Sequence, residues 1–191
     1  MHKPLSLALP VLALAMAAQA PAATLEGLSF ADQVRLDERE LRLNGLGVRA
    51  IFIFKAYVAA LYLPQKSSQA PDILRQGGAK RLQLRMLMEI GAPDIKKALV
   101  DGMRKNAGEA RWAALQERAD SLGRTIDTLG AARPGDSITL DYLPGRGLVL
   151  TFNDAVRGEP IPGADFYQAL LAIFIGEDPV DTRLKAGLLG Q

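Results

Sequence analysis

The sequence predicts an α+β fold in which a large antiparallel sheet carries its helices on one face. Two segments, KRLQLRMLMEI (80–90) and SITLDY (137–142), alternate apolar with polar residues at the two-residue period of a strand. Between them the apolar spacing lengthens to three and four, through Ile95, Leu99 and Met103 and then Trp112, Leu115, Ala119, Leu122, Ile126 and Leu129. That is the stripe of an amphipathic helix. The order is strands, helices, strands, helices, which segregates the helices instead of interleaving them with parallel strands.

Each element has its own signal. EGLSFADQVRLDERELRLNGLG (26–47) reads as short strands around a polar DER turn. Residues 46–54 and 57–63 are apolar strands rich in Ile, Phe, Val and Tyr, with a turn near Lys55 and Pro64 ending the second. SSQAPDILRQGG (67–78) suits a short helix or turn closed by two glycines. In 80–90, Leu82, Leu84, Met86 and Met88 share the core face. APDIKKALVDGMRKNAG (92–108) is the first long helix, and Gly108 breaks it from the second, 109–130. Residues 133–163 return to strands, with PGRG as a hairpin turn. ADFYQALLAIFIG (164–176) is a helix with Phe166, Leu170 and Phe174 in its stripe, and DPVDTRLKAGLLG (178–190) holds a last short one.

The first residues stand apart. MHKPLSLALPVLALAMAAQAPAA has a basic start, an apolar run over 5–18 and small residues before Thr24. Residues 1–22 therefore read as a cleaved signal peptide and 23–191 as one domain. The apolar run is short for a membrane span, so the mature protein is expected to have none and to be periplasmic. Losing Lys3 takes the net charge from +2 to +1, and basic residues alternate with acidic ones along the chain, which excludes a nucleic-acid partner of the usual basic kind. The chain has no cysteine and one histidine, His2, inside the leader. Thiol chemistry, disulfides, histidine bases and Cys/His metal sites are excluded from the mature domain, and neither a metal nor a cofactor is expected.

Among the remaining polar residues, Arg49 within the apolar stretch 45–64 is the principal candidate. A buried guanidinium needs a carboxylate, other acceptors or water, so it is either an ion-pair partner or a forked donor for a bound anion. Tyr57 and Tyr62 each pair a ring with one polar tip, but their opposite parity keeps them out of one pocket on a regular strand. Tyr142, Trp112 and the pair Thr151 and Asn153 suit packing and strand-edge roles.

GLGVRAIFIFKAYVAALYLP (45–64), KRLQLRMLMEI and IPGADFYQALLAIFIGEDPVDTRLKAGLLG (161–190) together resemble the chalcone isomerase-like family, in particular its exported bacterial branch. The resemblance implies an open-faced β-sandwich with a ligand cleft between a large sheet and a helix layer. In the plant enzymes of that family, which close a chalcone to a flavanone, a catalytic arginine on the GxGxR strand matches Arg49. Such an arginine works by stabilising negative charge that develops on the substrate. The enzymes' threonine on the next strand matches Tyr57, their tyrosine falls near Asp94, their asparagine near Asp101, and their terminal-helix serine or threonine near Ile173. Fatty-acid-binding relatives use the same region to receive a carboxylate.

The polar set that handles a flavonoid is thus largely replaced. The expected function is periplasmic binding of a fatty acid or similar amphipathic carboxylate, with Arg49, Tyr57, Tyr62 and Ile173 as ligand-binding residues. Two alternatives stand beside it. One is an intramolecular lyase or isomerase for a phenolic ligand, with Arg49 and Tyr57 as catalytic residues; the other is a structural or accessory protein whose cleft its own side chains fill.

Overall fold

The computed structural model describes residues 22–191. The leader expected over 1–22 lies outside them except for Ala22, which begins the first strand opposite Ala31. That strand, β1 (Ala22–Leu25), forms a hairpin with β2 (Leu28–Ala31). β3 (Gln33–Leu36), β4 (Arg39–Ile51) and β5 (Phe54–Leu63) follow as a meander. After α1 (Ala70–Arg75) come β6 (Lys80–Met86) and the two-residue β7 (Ile90–Gly91). The helices α2 (Ala92–Ala107) and α3 (Glu109–Asp127) are inserted before β8 (Ala131–Ala132), β9 (Ser137–Leu143), β10 (Gly147–Phe152) and β11 (Ala155–Ile161). α4 (Ala164–Ile175) and α5 (Thr182–Leu188) end the fold.

Seven strands pair antiparallel in the order β11-β10-β9-β6-β5-β4-β3. β6 alternates buried and half-buried residues along its length, as its sequence period requires. Leu82, Leu84 and Met86 join Leu115, Leu122, Phe166 and Leu170 of the helices in the main core. The other face of the sheet is covered in part by the β1–β2 hairpin, with Phe30 packed among Leu43, Val58 and Tyr62. The α+β class and the helix-covered antiparallel sheet match the sequence reading; the hairpin on the second face is additional.

Three local expectations are corrected. The turn after β4 falls at Phe52–Ile53, and Lys55 lies within β5, its Nζ 2.7 Å from Glu26 Oε2. No glycine, proline or asparagine marks that turn. β6 stops at Met86, leaving Met88 outside the strand, and α3 stops before Leu129. The α2–α3 break is at Gly108, whose φ of 72° is in the left-handed region that glycine reaches without strain.

Candidate functional site

Gly45, Gly47 and Arg49 alternate along β4, so all three face the same side of the sheet. The glycines make room for α5. A Cβ on Gly45 would lie 2.1 Å from the Gly187 carbonyl oxygen, and one on Gly47 2.6 Å from that of Leu184. With α5 seated directly on the backbone of β4, its N-cap residue Asp181 comes beside Arg49. The ladder between β4 and β5 shifts register between Arg49 and Ala50, an irregularity of the kind that re-aims a side chain.

Arg49 Nη1 donates to the Ala50 carbonyl at 2.6 Å and stands 3.4 Å from Asp181 Oδ2. The acid is already engaged. Its Oδ1 accepts from the N–H groups of Arg183 at 2.8 Å and Leu184 at 3.1 Å, and its Oδ2 accepts from Ala50 N at 3.4 Å. Burial opposes its charge, but the N–H groups of Leu184, Ala50 and Arg183, together with Arg49, outweigh burial and hold the carboxyl below its usual range. The Arg49 side chain keeps 23% of its surface accessible, so the ion pair does not seal it.

Tyr57 is directly opposite Arg49 across the β4–β5 ladder, and Met86 is opposite Tyr57 on β6. The three form a row facing the helices. Burial pushes the Tyr57 phenol well above its ordinary value, an effect that Arg49 reduces and Asp181 adds to, so the group stays a neutral donor. Of the four tyrosines, only Tyr167 donates its hydroxyl to a described residue, the Leu140 carbonyl at 3.0 Å.

Arg49 and Tyr57 close the polar end of a recess of about 160 Å³ between the sheet and the helices. Leu84, Met86, Ile138 and Leu140 form its floor; Ile95, Ala98 and Leu99 of α2 and Phe174 of α4 form its roof. Asp94, in the first turn of α2, is at its margin. An apolar chamber with a few convergent polar groups is the usual form of a small-ligand site. A larger hollow of about 630 Å³ beside Arg42, Asn44 and Lys66 is an open surface depression that mixes polar, apolar and glycine residues, without that form. Among the described residues no cluster of acidic or histidine side chains is arranged to hold a metal ion.

The residues singled out in the sequence separate on this geometry. Arg49 and Tyr57 meet at the recess. Tyr62 does not join them: five residues on along β5, it packs on the opposite face with Phe30 and Leu43. Burial pushes its phenol up to about 12, against the pull of nearby Arg81 and with the push of Asp32. Ile173 is buried but is not a wall of the recess; it packs against Gly102 of α2, while its neighbour Phe174 takes the lining position. Asp101 is on the exposed face of α2, bound to Lys97, so of the two acids set at enzyme positions only Asp94 approaches the recess. Asp181 was missed. Its N-cap role is legible in DTRLK, but its approach to Arg49 depends on the glycines of a strand some 130 residues away.

The family model described as chalcone isomerase-like matches residues 22–190. The chain belongs to the chalcone isomerase-like family. Its fold is also similar to the crystal structure of a fatty-acid binding protein from Arabidopsis thaliana, at 14% identity and a TM-score of 0.71, over 88% of this chain and 96% of that one. No curated protein matches the chain. For a chalcone isomerase-like protein the recess is sparing in polar chemistry: two donors, Arg49 and Tyr57, and one marginal carboxylate, Asp94.

Proposed function

We propose that the recess binds a fatty acid or a similar amphipathic carboxylate, with its head on Arg49 and Tyr57 and its tail among the apolar side chains between the sheet and α2. The observation that carries this reading is the placement of an accessible guanidinium at the polar end of an otherwise apolar chamber. A carboxylate accepts both donors and replaces the long contact to Asp181 with shorter charge-assisted bonds. The Arabidopsis thaliana relative, a fatty-acid binding protein by name, supports the same class of ligand.

Size narrows the class. A recess of about 160 Å³ is close to the ~150 Å³ engineered cavity that takes up benzene and is below the ~300 Å³ at which drug-sized pockets begin. A short or medium acyl segment fits; a long tail must leave through the mouth or part the helix layer. We further propose export to the periplasm, supported by the leader-like composition of residues 1–22 and tested by fractionation and N-terminal sequencing.

The primary test is native mass spectrometry and lipid extraction of protein purified from the periplasm, followed by titration with acids of increasing chain length. A reproducible bound acid, lost in Arg49→Ala, is expected. An empty wild type that binds no acid in the panel overturns the reading. The Tyr57 phenol beside Arg49 at the end of the recess favours one second reading, turnover of a phenolic substrate. Isomerisation of a hydroxychalcone that Arg49→Ala abolishes would establish it.

A further inference from the structure

The tip of the β4–β5 hairpin exposes three consecutive large apolar residues: Phe52 at 95%, Ile53 at 87% and Phe54 at 62%. Ile51 pairs with Phe54, so Phe52 and Ile53 are the two loop residues of the hairpin. Of these only Phe52 has a positive φ, 55°, the sign pattern of a II′ turn whose first central position ordinarily goes to glycine. A bulky residue there is disfavoured by its backbone, and its ring gains no packing in return. Both features run against the stability of the isolated chain, and both present apolar surface outward.

We propose that this tip is a membrane-docking element, inserting Phe52, Ile53 and Phe54 into the interfacial zone of a lipid bilayer so that the mouth of the Arg49 recess faces the lipid. Shape and size favour a bilayer over a protein partner. The tip protrudes without a groove. Three side chains supply on the order of a few hundred Å², at ~150–250 Å² for each aromatic ring, against ~800 Å² per partner in a stable protein interface. The chemistry fits as well. Residues 50–54 carry no charge, and Lys55 follows, more than half exposed beside Glu26, an apolar tip with a cation one step behind it.

The same strand joins the tip to the recess. Arg49 stands at its polar end, Ile51 lines its wall and Phe52 begins the tip. At about 3.3 Å per residue, Arg49 is roughly 10 Å behind Phe52. An apolar surface buried ~5–10 Å at the interface would therefore set the guanidinium near headgroup depth, where an amphipathic carboxylate keeps its head. The purpose assigned to docking rests on the carboxylate reading; adsorption itself does not.

The test is flotation of ligand-free protein with phosphatidylcholine vesicles containing one-third phosphatidylglycerol. Wild type is expected to float, and Phe52→Ser/Phe54→Ser to lose at least ~10-fold in partitioning with an unchanged or higher melting temperature. Ile53→Trp, read against the wild-type spectrum, should shift to the blue on vesicles and be quenched by brominated lipid. Ile53→Asp serves as a second loss variant. Wild type that stays in the lipid-free fraction overturns the proposal, as does a double variant that floats equally well. A concentration-dependent dimer that the double variant loses also overturns it, assigning the tip to a second copy of the chain. Flotation without acid binding would leave docking intact and remove only the ligand reading; acid binding from solution without flotation would remove docking alone.

Discussion

Arg49 Nη1 and Asp181 Oδ2 stand 3.4 Å apart, yet the acid is bound to its own helix more closely than to the arginine. Asp181 is first the N-cap of α5 and only second a counter-ion, so its two roles separate by substitution. Asp181→Asn keeps a good cap and removes the charge. It should lower the melting temperature near neutral pH, but by less than Asp181→Ala does, while raising affinity for carboxylate ligands. Asp181→Ala should cost about 0.5–2 kcal/mol through the lost cap. The pH dependence has a fixed sign. Because the folded carboxyl is held below its usual value, its contribution is complete above about pH 4, the ordinary carboxylate range, and is lost as pH falls through the depressed folded value. The stability gap between wild type and Asp181→Asn should therefore narrow only in acid, as urea titrations between pH 2 and 7 would show.

Arg49→Ala should weaken carboxylate binding roughly 10- to 100-fold, from ~1.5–3 kcal/mol for hydrogen bonds to a charged group. Calorimetric titration checks this. Arg49→Lys should recover only part of the loss, since an ammonium cannot reproduce the planar fork. Equal affinity in wild type and Arg49→Ala would place the acid elsewhere.

The strand parity of 45–63 was open to reading from sequence, because it depends only on the two-residue period: it puts Gly45, Gly47 and Arg49 together and keeps Tyr57 apart from Tyr62. The helical stripes of α2 and α3 were legible for the same reason. What escaped depends on groups distant in sequence or on turns without turn chemistry. Phe52–Ile53 closes a hairpin with none of the residues that advertise one, which displaced the expected turn toward Lys55. Ile173 sits one residue from a lining position on a helix buried all round, where hydrophobic spacing cannot say which side chain meets the recess. The β1–β2 hairpin was readable as strands, but not as the cover of the second face.

Gly47→Ala tests why α5 lies where it does. The added methyl would meet the Leu184 carbonyl oxygen at 2.6 Å, and backbone cannot turn aside as a side chain can. The expected cost is about 1–3 kcal/mol of overpacking, at roughly 2–4 °C in melting temperature per kcal/mol for a domain of this size. Displacing α5 also withdraws Asp181 from Arg49, so the proton-dependent stability assigned to Asp181 should shrink in the same variant.

Tyr57→Phe should weaken ligand binding by about 0.5–1.5 kcal/mol, the worth of one hydrogen bond. With its pKa raised by burial, the Tyr57 phenol remains protonated beyond its ordinary value near 10. Wild-type affinity for a fully ionised acid should therefore stay level from pH 6 to 9, with the Tyr57→Phe curve parallel and weaker. A wild-type curve that falls across that range while the variant stays flat would mean the phenol ionises and repels the head.

Ala98→Leu separates recess from scaffold. Ala98 lines the recess from α2, and the larger side chain occupies part of the roughly 160 Å³ that a ligand tail would use. Each methylene newly buried there contributes about 0.8 kcal/mol where it fits without strain. The melting temperature should hold or rise while acid binding falls at least ~10-fold, because the same volume cannot serve both occupants. Most destabilising substitutions reduce binding and stability together, so this opposite pairing is hard to obtain by accident. Unchanged affinity in an Ala98→Leu protein whose melting temperature has risen, the sign that the leucine has entered the recess, would show that the tail does not occupy it.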